Sequence, residues 1–598
     1  MRRLQLVVLV AAVTAGIIWW VLFRTHHTSS LGVASLLPKE TLALVHVPDF
    51  NRSREQWHRT DIYQLWKEPA VQEFLAKPRS KVETEGGIGE TVNEVAAIQM
   101  NDAFFAVLAI DSSAWKWDGG FRCLGDTEKA ARLVESWKSK IFGAGAEIKQ
   151  ETLEYEGRKI VVETAGMVKL ATAWAGPWFF FTNDLENLKA LVDRADGRVK
   201  DPATALSSDG TFLAASKHMP ASYAALAFGR VDQLVEKLSP AGEDVAGAPD
   251  RLGLIRQIHS FCGATAFDGG RMRDAVFVGM PKVAELGSLA RASLPIATKD
   301  TFFYVASLFD FRKDMQPGWQ TPGFAWLGGL QKVTSALAAS GVTLEDWKSA
   351  FGAEVGVIGS WATNSQWPAL LVATPVKDSA KAHQILATIT NSTNTSVQWT
   401  HREQDGVQYY ASGSGTQLFS FTPTIGLSDR MLIAGADAAV IEPAMKHIDT
   451  GSSELSAARN FQNADRAVPT AQQAFVYLDP ALLYARFDAS LRPLLAMGAA
   501  FLPALSETID VSKLPPPEVI TRHLTPIVMS QSYRGEGYVA ESIGPVPFYH
   551  SVFGAMATGF AATAFYRQQT QGTLPLPLQN LTTPASSPFP SPSPEDSP

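Results

Sequence analysis

Apolar runs rich in β-branched and aromatic residues recur in the same order in the two halves of the chain. One run at 41–47 follows a Leu-Pro pair at 37–38, and another at 301–305 follows a Leu-Pro pair at 294–295. Short runs of this composition predict β-strands. We therefore expect each run to open a folded unit.

Helix and turn signals repeat in the same way. A strand at 103–110 and a helix around Lys129 match a strand at 368–374 and a helix around Lys381. Turn glycines supply the positive φ of tight hairpins, and an aspartate before a helix caps it. The remaining matched pairs are the turns Glu156-Gly157 and Asp405-Gly406, the caps Asp184 and Asp437, Phe212 and Phe461, Met219-Pro220 and Val468-Pro469, and the turns Asp268-Gly269-Gly270 and Gly535-Glu536-Gly537.

The preserved order of these landmarks predicts two tandemly duplicated lobes, at 36–293 and 294–566. Hairpins and adjacent strands outnumber helical crossovers in each lobe, which favours the α+β class. We expect each lobe to be a mainly antiparallel sheet with helices packed on one face. Two such copies packed together are expected to form an interlobe groove, the natural place for a protein or small-molecule ligand.

The N-terminal segment, residues 1–35, has the pattern of a membrane anchor and spacer. After Met-Arg-Arg, the 20 residues at 4–23 are uncharged and mostly apolar, about the length that spans the hydrocarbon core. A cleaved signal peptide is the alternative, although its apolar region is usually shorter. The basic start predicts an N-terminus inside the cytoplasm, one transmembrane helix and a periplasmic remainder.

The C-terminal segment, residues 567–598, is expected to be a disordered tail. From Gly572 onward it is rich in Pro, Ser and Thr, which leaves too little apolar surface to offset the entropy of ordering. The apolar stretch at 552–566 before it is short for a membrane span, and its small residues favour a helix packed on a neighbour.

The start of the first lobe resembles a group of bacterial membrane-anchored extracytoplasmic proteins that are grouped only as a domain of unknown function. The likeness rests on Leu-Pro-x-x-Thr at 37–41, on His-Val-Pro-Asp at 46–49, and on the helix pattern at 61–75. The resemblance implies an architecture and carries over no activity, cofactor or functional residue.

Charge and cysteine content narrow the possible partners. The net charge is −7, the pI is near 5.9, and the basic residues are scattered, so nucleic acid is not an expected partner. Cys123 and Cys262 are the only cysteines. They could pair in an oxidising compartment, or both could be small buried hydrophobic residues.

The sequence contains no catalytic or metal-binding motif. The eleven histidines are dispersed, with no metal-ligand spacing, and a hydrolase serine elbow and a phosphate loop are both absent. His46, with Asp49 three residues on, is the nearest approach to an oriented acid/base pair. The pair His26-His27 fits a polar spacer beside the membrane. Gly-rich strings at 86–89 and 413–415 fit loops, and the tryptophans near 115–117, 174–178 and 361–367 fit core packing as well as sugar stacking.

Three classes of function therefore remain. We favour a cell-envelope binding or scaffold protein that contacts the membrane through its N-terminal helix, with no cofactor and no metal. The alternatives are a hydrolase-like extracytoplasmic enzyme with a site in the interlobe cleft, and an assembly partner for other membrane proteins. A polar cluster in the cleft would indicate the enzyme, and an apolar patch outside it would indicate the assembly partner.

Overall fold

The computed structural model describes residues 31–76, 95, 98–110, 115–142, 147–166, 168–199, 201–238, 257–309, 339–391, 398–412, 422–501 and 510–546. In this part of the chain, twenty strands form one sheet. The strands are β1 (Ala43–Asp49), β2 (Met100–Ile110), β3 (Trp115–Cys123), β4 (Lys149–Tyr155), β5 (Arg158–Ala165), β6 (Val168–Ala175), β7 (Trp178–Thr182), β8 (Ala225–Gly229), β9 (Ser260–Asp268), β10 (Arg271–Gly279), β11 (Thr301–Leu308), β12 (Glu354–Ser360), β13 (Ala369–Pro375), β14 (Trp399–Gln404), β15 (Val407–Ser412), β16 (Thr424–Leu427), β17 (Met431–Gly435), β18 (Ala474–Leu478), β19 (Ile527–Arg534) and β20 (Gly537–Gly544).

Every pairing in this sheet is antiparallel, as the sequence predicted. Neighbouring strands follow the order β4, β5, β6, β7, β3, β2, β1, β8, β9, β10, β20, β19, β18, β11, β12, β13, β17, β16, β15, β14. Counted outwards from the β10–β20 pair, the strands follow the same order on both sides. Each of β1–β10 corresponds to the strand numbered ten higher, so β1 corresponds to β11. We call β1–β10 the first half and β11–β20 the second half.

The two halves join through strand pairing between β10 and β20. The register runs from Met272 opposite Gly544 to Gly279 opposite Gly537. Ala275 is the fifth residue of β10, Glu541 is the fifth residue of β20, and these two residues face each other. The junction therefore has the two-fold symmetry of a self-complementary interface between identical subunits.

The predicted hairpin turns and helix caps are confirmed at the expected residues. Glu156 and Gly157 have φ of 48° and 71°, and Asp405 and Gly406 have φ of 54° and 73°, as the two-residue hairpin turn requires. The side chain of Asp184 accepts from the backbone amides of Glu186 and Asn187, and that of Asp437 accepts from the amide of Ala439, so each caps the first turn of the helix that follows it.

One of the strand matches was wrong. The strand at 103–110 belongs to β2, whose counterpart is β12, whereas the strand at 368–374 belongs to β13, whose counterpart is β3. The sequence of β3 is not a clear strand pattern, because Asp118, Gly119 and Gly120 interrupt its apolar residues.

Fifteen α-helices lie in the described residues. They are α1 (Leu31–Ala34), α2 (Phe50–Trp57), α3 (Asp61–Lys67), α4 (Pro69–Phe74), α5 (Thr127–Phe142), α6 (Leu185–Ala195), α7 (Gly210–Ser216), α8 (Val231–Leu238), α9 (Leu344–Ala350), α10 (Ser379–Thr390), α11 (Ala438–Thr450), α12 (Glu454–Ala457), α13 (Arg459–Arg466), α14 (Pro480–Phe501) and α15 (Pro517–Thr521).

These helices cover both faces of the sheet, so the prediction of helices on one face was wrong. In the first half, α6 packs with Phe180 and α5 packs with its neighbour Phe179. In the second half, α11 packs with Ile433 and α10 packs with Leu432. Successive strand side chains point to opposite faces, and a strand buried on both faces loses the alternation that marks a one-sided sheet.

No helix within the described residues is long and apolar enough to cross a membrane. The anchor expected at 4–23, the histidine pair at 26–27, the glycine strings at 86–89 and 413–415, the stretch at 552–566 and the tail at 567–598 lie outside the described residues. Those expectations stay predictions.

Candidate functional site

His46 is buried in the sheet of the first half. It lies in β1, between β2 and β8, and its side chain is 1% exposed. Nδ1 lies 2.8 Å from the hydroxyl of Tyr223, and Nε2 lies 3.5 Å from Oδ1 of Asp102. Burial lowers the pKa of His46, and the nearby Asp102 opposes that effect in part. The imidazole is therefore favoured in its neutral form at neutral pH.

Asp49 does not orient His46. Its carboxylate accepts a hydrogen bond of 3.0 Å from the backbone amide of Arg52 and caps α2. The carboxylate that lies beside His46 belongs to Asp102, which also pairs with Arg122 at 2.8 Å. The proposed acid/base pair is thus a helix cap and a core histidine, each with a structural role.

The sequence did not signal Asp102 or Tyr223 as partners of His46. Asp102 lies at an irregularity of β2 and has φ of 48°, which is uncommon for a residue other than glycine. A bulge that turns a side chain inward depends on the pairing of three strands. Asp102 and Tyr223 are 6% and 2% exposed, so this buried network stabilises the first half and offers no surface to a substrate.

A second buried carboxyl lies beneath the start of α6. Asp118 of β3 is 1% exposed, and burial raises its pKa to about 7, with the nearby negative charge of Asp184 adding to the rise. The second half has an apolar residue, Leu371, at the matching place, because Asp118 pairs with Thr182 as Leu371 pairs with Gly435. The carboxyl is therefore a feature of one half only.

The junction between the halves is a continuous sheet with charged contacts beside it. Glu68, which lies between α3 and α4, accepts from Nε2 of His523 at 2.7 Å and also pairs with Arg522. Lys513 lies 3.0 Å from Glu73. These contacts tie helices of the first half to the segment before β19, beside the junction.

Among the described residues, two cavities lie at the β14–β15 hairpin. One has a volume of about 210 Å³ and lies between the end of α10 and one face of the hairpin. The other has a volume of about 180 Å³ and lies on the side of Arg402 and Tyr409. His401 lines both. Neither cavity coincides with a residue that the sequence singled out.

An exposed apolar patch lies on β13 and the loop before it. Trp367, Leu370 and Val372 are 46%, 54% and 40% exposed. Leu370 and Val372 point to the same face, because they are two positions apart in one strand. Of the tryptophans that could stack on a sugar, Trp174 and Trp361 pack in the interior, and Trp367 is the one in this patch.

The described residues contain no cluster of three or more His, Cys, Asp or Glu side chains that could hold a metal ion. Cys123 and Cys262 are both buried free thiols. The bridge between them that the sequence left open is therefore not formed. Burial raises the pKa of Cys262, which makes its thiol unreactive.

Residues 299–508 match the model of a family described as "Protein of unknown function (DUF3352)". The match confirms the resemblance to a domain of unknown function, although it lies in the second half and the motifs at 37–75 lie outside it. A solved structure described as "Structure of crystal form III of TP0453" is similar over 42% of this chain and 81% of that chain, at 6% identity and a TM-score of 0.21. No curated protein matches the chain.

Proposed function

We propose that this chain is a binding or scaffold protein of the cell envelope. Its N-terminal run at 4–23 is the proposed single anchor in the cytoplasmic membrane, with the N-terminus inside and the sheet in the periplasm. The length of that run and its basic start support this orientation. The exposed apolar patch on β13 is the observation that carries the binding role.

The first half fills the equivalent surface with its own aromatic rings. Trp117 of β3, the counterpart of Leu370, stacks on Phe105 with ring centroids 5.7 Å apart. The ring of Phe181 lies over Gly119, where an added Cβ would be 2.3 Å from it. In the first half, aromatic rings therefore cover the surface that aliphatic side chains expose in the second half.

In the second half, small aliphatic side chains replace those rings. Val357 and Ala434 flank Val372 in the neighbouring strands, and they leave Leu370 more than half exposed. A partner that covered Leu370, Val372 and Trp367 would remove apolar surface from water, which is the main favourable term in protein association. The chemistry of the patch favours an apolar surface on another envelope protein.

The patch also supports the assembly-partner alternative, since it lies away from the junction between the halves. The enzyme alternative has no such support, because the polar networks around His46 and Asp118 are enclosed. The interlobe groove remains a proposed second place for a ligand.

We also propose that the two halves arose by tandem duplication, with lobes at 36–293 and 294–566. The repeated strand order and the symmetric register of β10 with β20 support this origin. An ancestral homodimer joined through the last strand of each copy would give the same pairing.

Site-specific photocross-linking in native membranes tests the binding role. A photoreactive residue at position 370 should give discrete adducts, whereas one at Leu153, an exposed leucine on the edge strand β4, should not. Leu370→Lys should abolish the adducts formed from position 372, and Leu153→Lys should leave them unchanged. Equal cross-linking from positions 370 and 153, or adducts that survive Leu370→Lys, would contradict the proposal.

A further inference from the structure

We propose that the second half carries a binding site for a neutral sugar ring, in the cavity between α10 and the β14–β15 hairpin. The cavity of about 210 Å³ is lined by Ala387, Thr390, Asn391, Trp399, His401 and Tyr410. This site is separate from the patch on β13, so its failure would leave the proposed protein-binding role intact.

The matching place in the first half is closed by an ion pair. Lys138 of α5 lies 2.9 Å from Glu163 of β5, and both side chains are 9% exposed. Thr390 occupies the position of Lys138, since each is twelve residues after the aspartate that caps its helix. Ser412 occupies the position of Glu163, since each is six residues after its turn glycine. Two short hydroxyl side chains cannot span the gap that the long ion pair spans.

Aromatic residues have replaced aliphatic and polar ones around the opened gap. Counted from the hairpin turns, Trp399, His401 and Tyr410 of the second half stand where the first half has Gln150, Thr152 and Val161. The rings of His401 and Tyr410 lie 4.8 Å apart. Trp399 is half-buried and His401 is exposed, so part of each side chain is in contact with solvent.

The lining selects the class of ligand. None of the described residues that line the cavity is a lysine, arginine, aspartate or glutamate, so these residues offer a charged ligand no ion pair. Aromatic faces carry partial negative charge and attract the C–H groups of a ring laid on them. The amide of Asn391 can bond hydroxyl groups at the edge, and the oxygen of Thr390, whose hydrogen is donated to the carbonyl of Leu386, can accept from them.

The volume fits one ring. At roughly 30 Å³ for each water, the cavity holds about seven waters. Sites for drug-sized ligands begin at about 300 Å³. The volume favours a single pyranose, free or as the terminal unit of a glycan, over an extended ligand.

Titration of the full chain with glucose, mannose and N-acetylglucosamine, followed by tryptophan fluorescence and calorimetry, tests the site. We expect at least one of these sugars to bind, and His401→Ala and Trp399→Ala to weaken that binding at least tenfold. Trp367→Ala, which changes an exposed tryptophan outside the cavity, should leave the affinity unchanged.

The double variant Thr390→Lys with Ser412→Glu is the sharpest control, because it installs the ion pair of the first half and closes the gap without removing an aromatic ring. It should abolish binding while the melting temperature stays at or above that of the parent. The proposal is overturned if none of the three sugars binds, or if a closed and stably folded double variant binds as well as the parent. Tighter binding of glucuronate than of glucose would overturn the assignment of a neutral ligand.

Discussion

Replacing Asp118 with leucine should stabilise the protein at neutral and alkaline pH. The carboxyl lies beneath the start of α6, close to Thr182, Asn187 and the negatively charged Asp184. The second half tolerates Leu371 at the matching position, where it is 4% exposed. Asp118→Leu therefore places in the first half the same side chain that the second half has at the equivalent position of the sheet.

The size of the effect follows from the pKa of Asp118. Burial raises that pKa from 3.8 to about 7, so the folded chain holds a proton that the unfolded chain releases. Stability contributed by the protonated carboxyl is present below about pH 4 and is lost as the pH rises towards 7. A rise of about three in pKa corresponds to a loss of about 4 kcal/mol.

Denaturant unfolding of the parent and of Asp118→Leu at pH 4 and pH 8 measures this directly. The stability of the variant relative to the parent should increase by about 4 kcal/mol between the two pH values, in the transition reported by tryptophan fluorescence of the first half. Asp118→Asn, which keeps the shape and removes the ionisation, should show the same dependence on pH with a smaller gain. A difference between variant and parent that does not change with pH would refute the reasoning.

Three further predictions follow from the described contacts. Hydrogen bonds from His523 and Arg522 lower the pKa of Glu68, so this contact between the halves should persist at neutral pH and weaken as the pH falls through that lowered pKa. Glu68→Gln should therefore speed hydrogen exchange in 61–75 at pH 7. Unchanged exchange would argue against the contact. His46→Ala should lower the free energy of unfolding by about 2–4 kcal/mol, because Asp102 and Tyr223 lose a buried partner, and a chemical denaturation midpoint equal to that of the parent would contradict this. Sequencing the mature N-terminus should return the start of the chain, since the run at 4–23 is predicted to be retained; a mature chain that starts at Ser35 would show cleavage.

Local signals in the sequence determined much of the secondary structure and the order of its elements. Glu156-Gly157 and Asp405-Gly406 form the same turn because glycine at positive φ and a two-residue loop fix the register of a hairpin. Asp184 and Asp437 begin equivalent helices because an aspartate satisfies amides that the helix leaves unpaired. Turns and caps depend on a few neighbouring residues, so their order could be compared between the halves without a structure.

Only the tertiary structure decided how those elements combine. The symmetric pairing of β10 with β20 joins residues more than two hundred positions apart. The packing of helices on both faces depends on contacts between separate elements, such as α5 with Phe179 and α10 with Leu432. The candidate sites follow the same rule. Asp102, and not the neighbouring Asp49, reaches His46 because three strands align at a bulge. The cavity beside Trp399 depends on how the end of α10 packs on the β14–β15 hairpin, which brings Asn391 and Tyr410 to the same place.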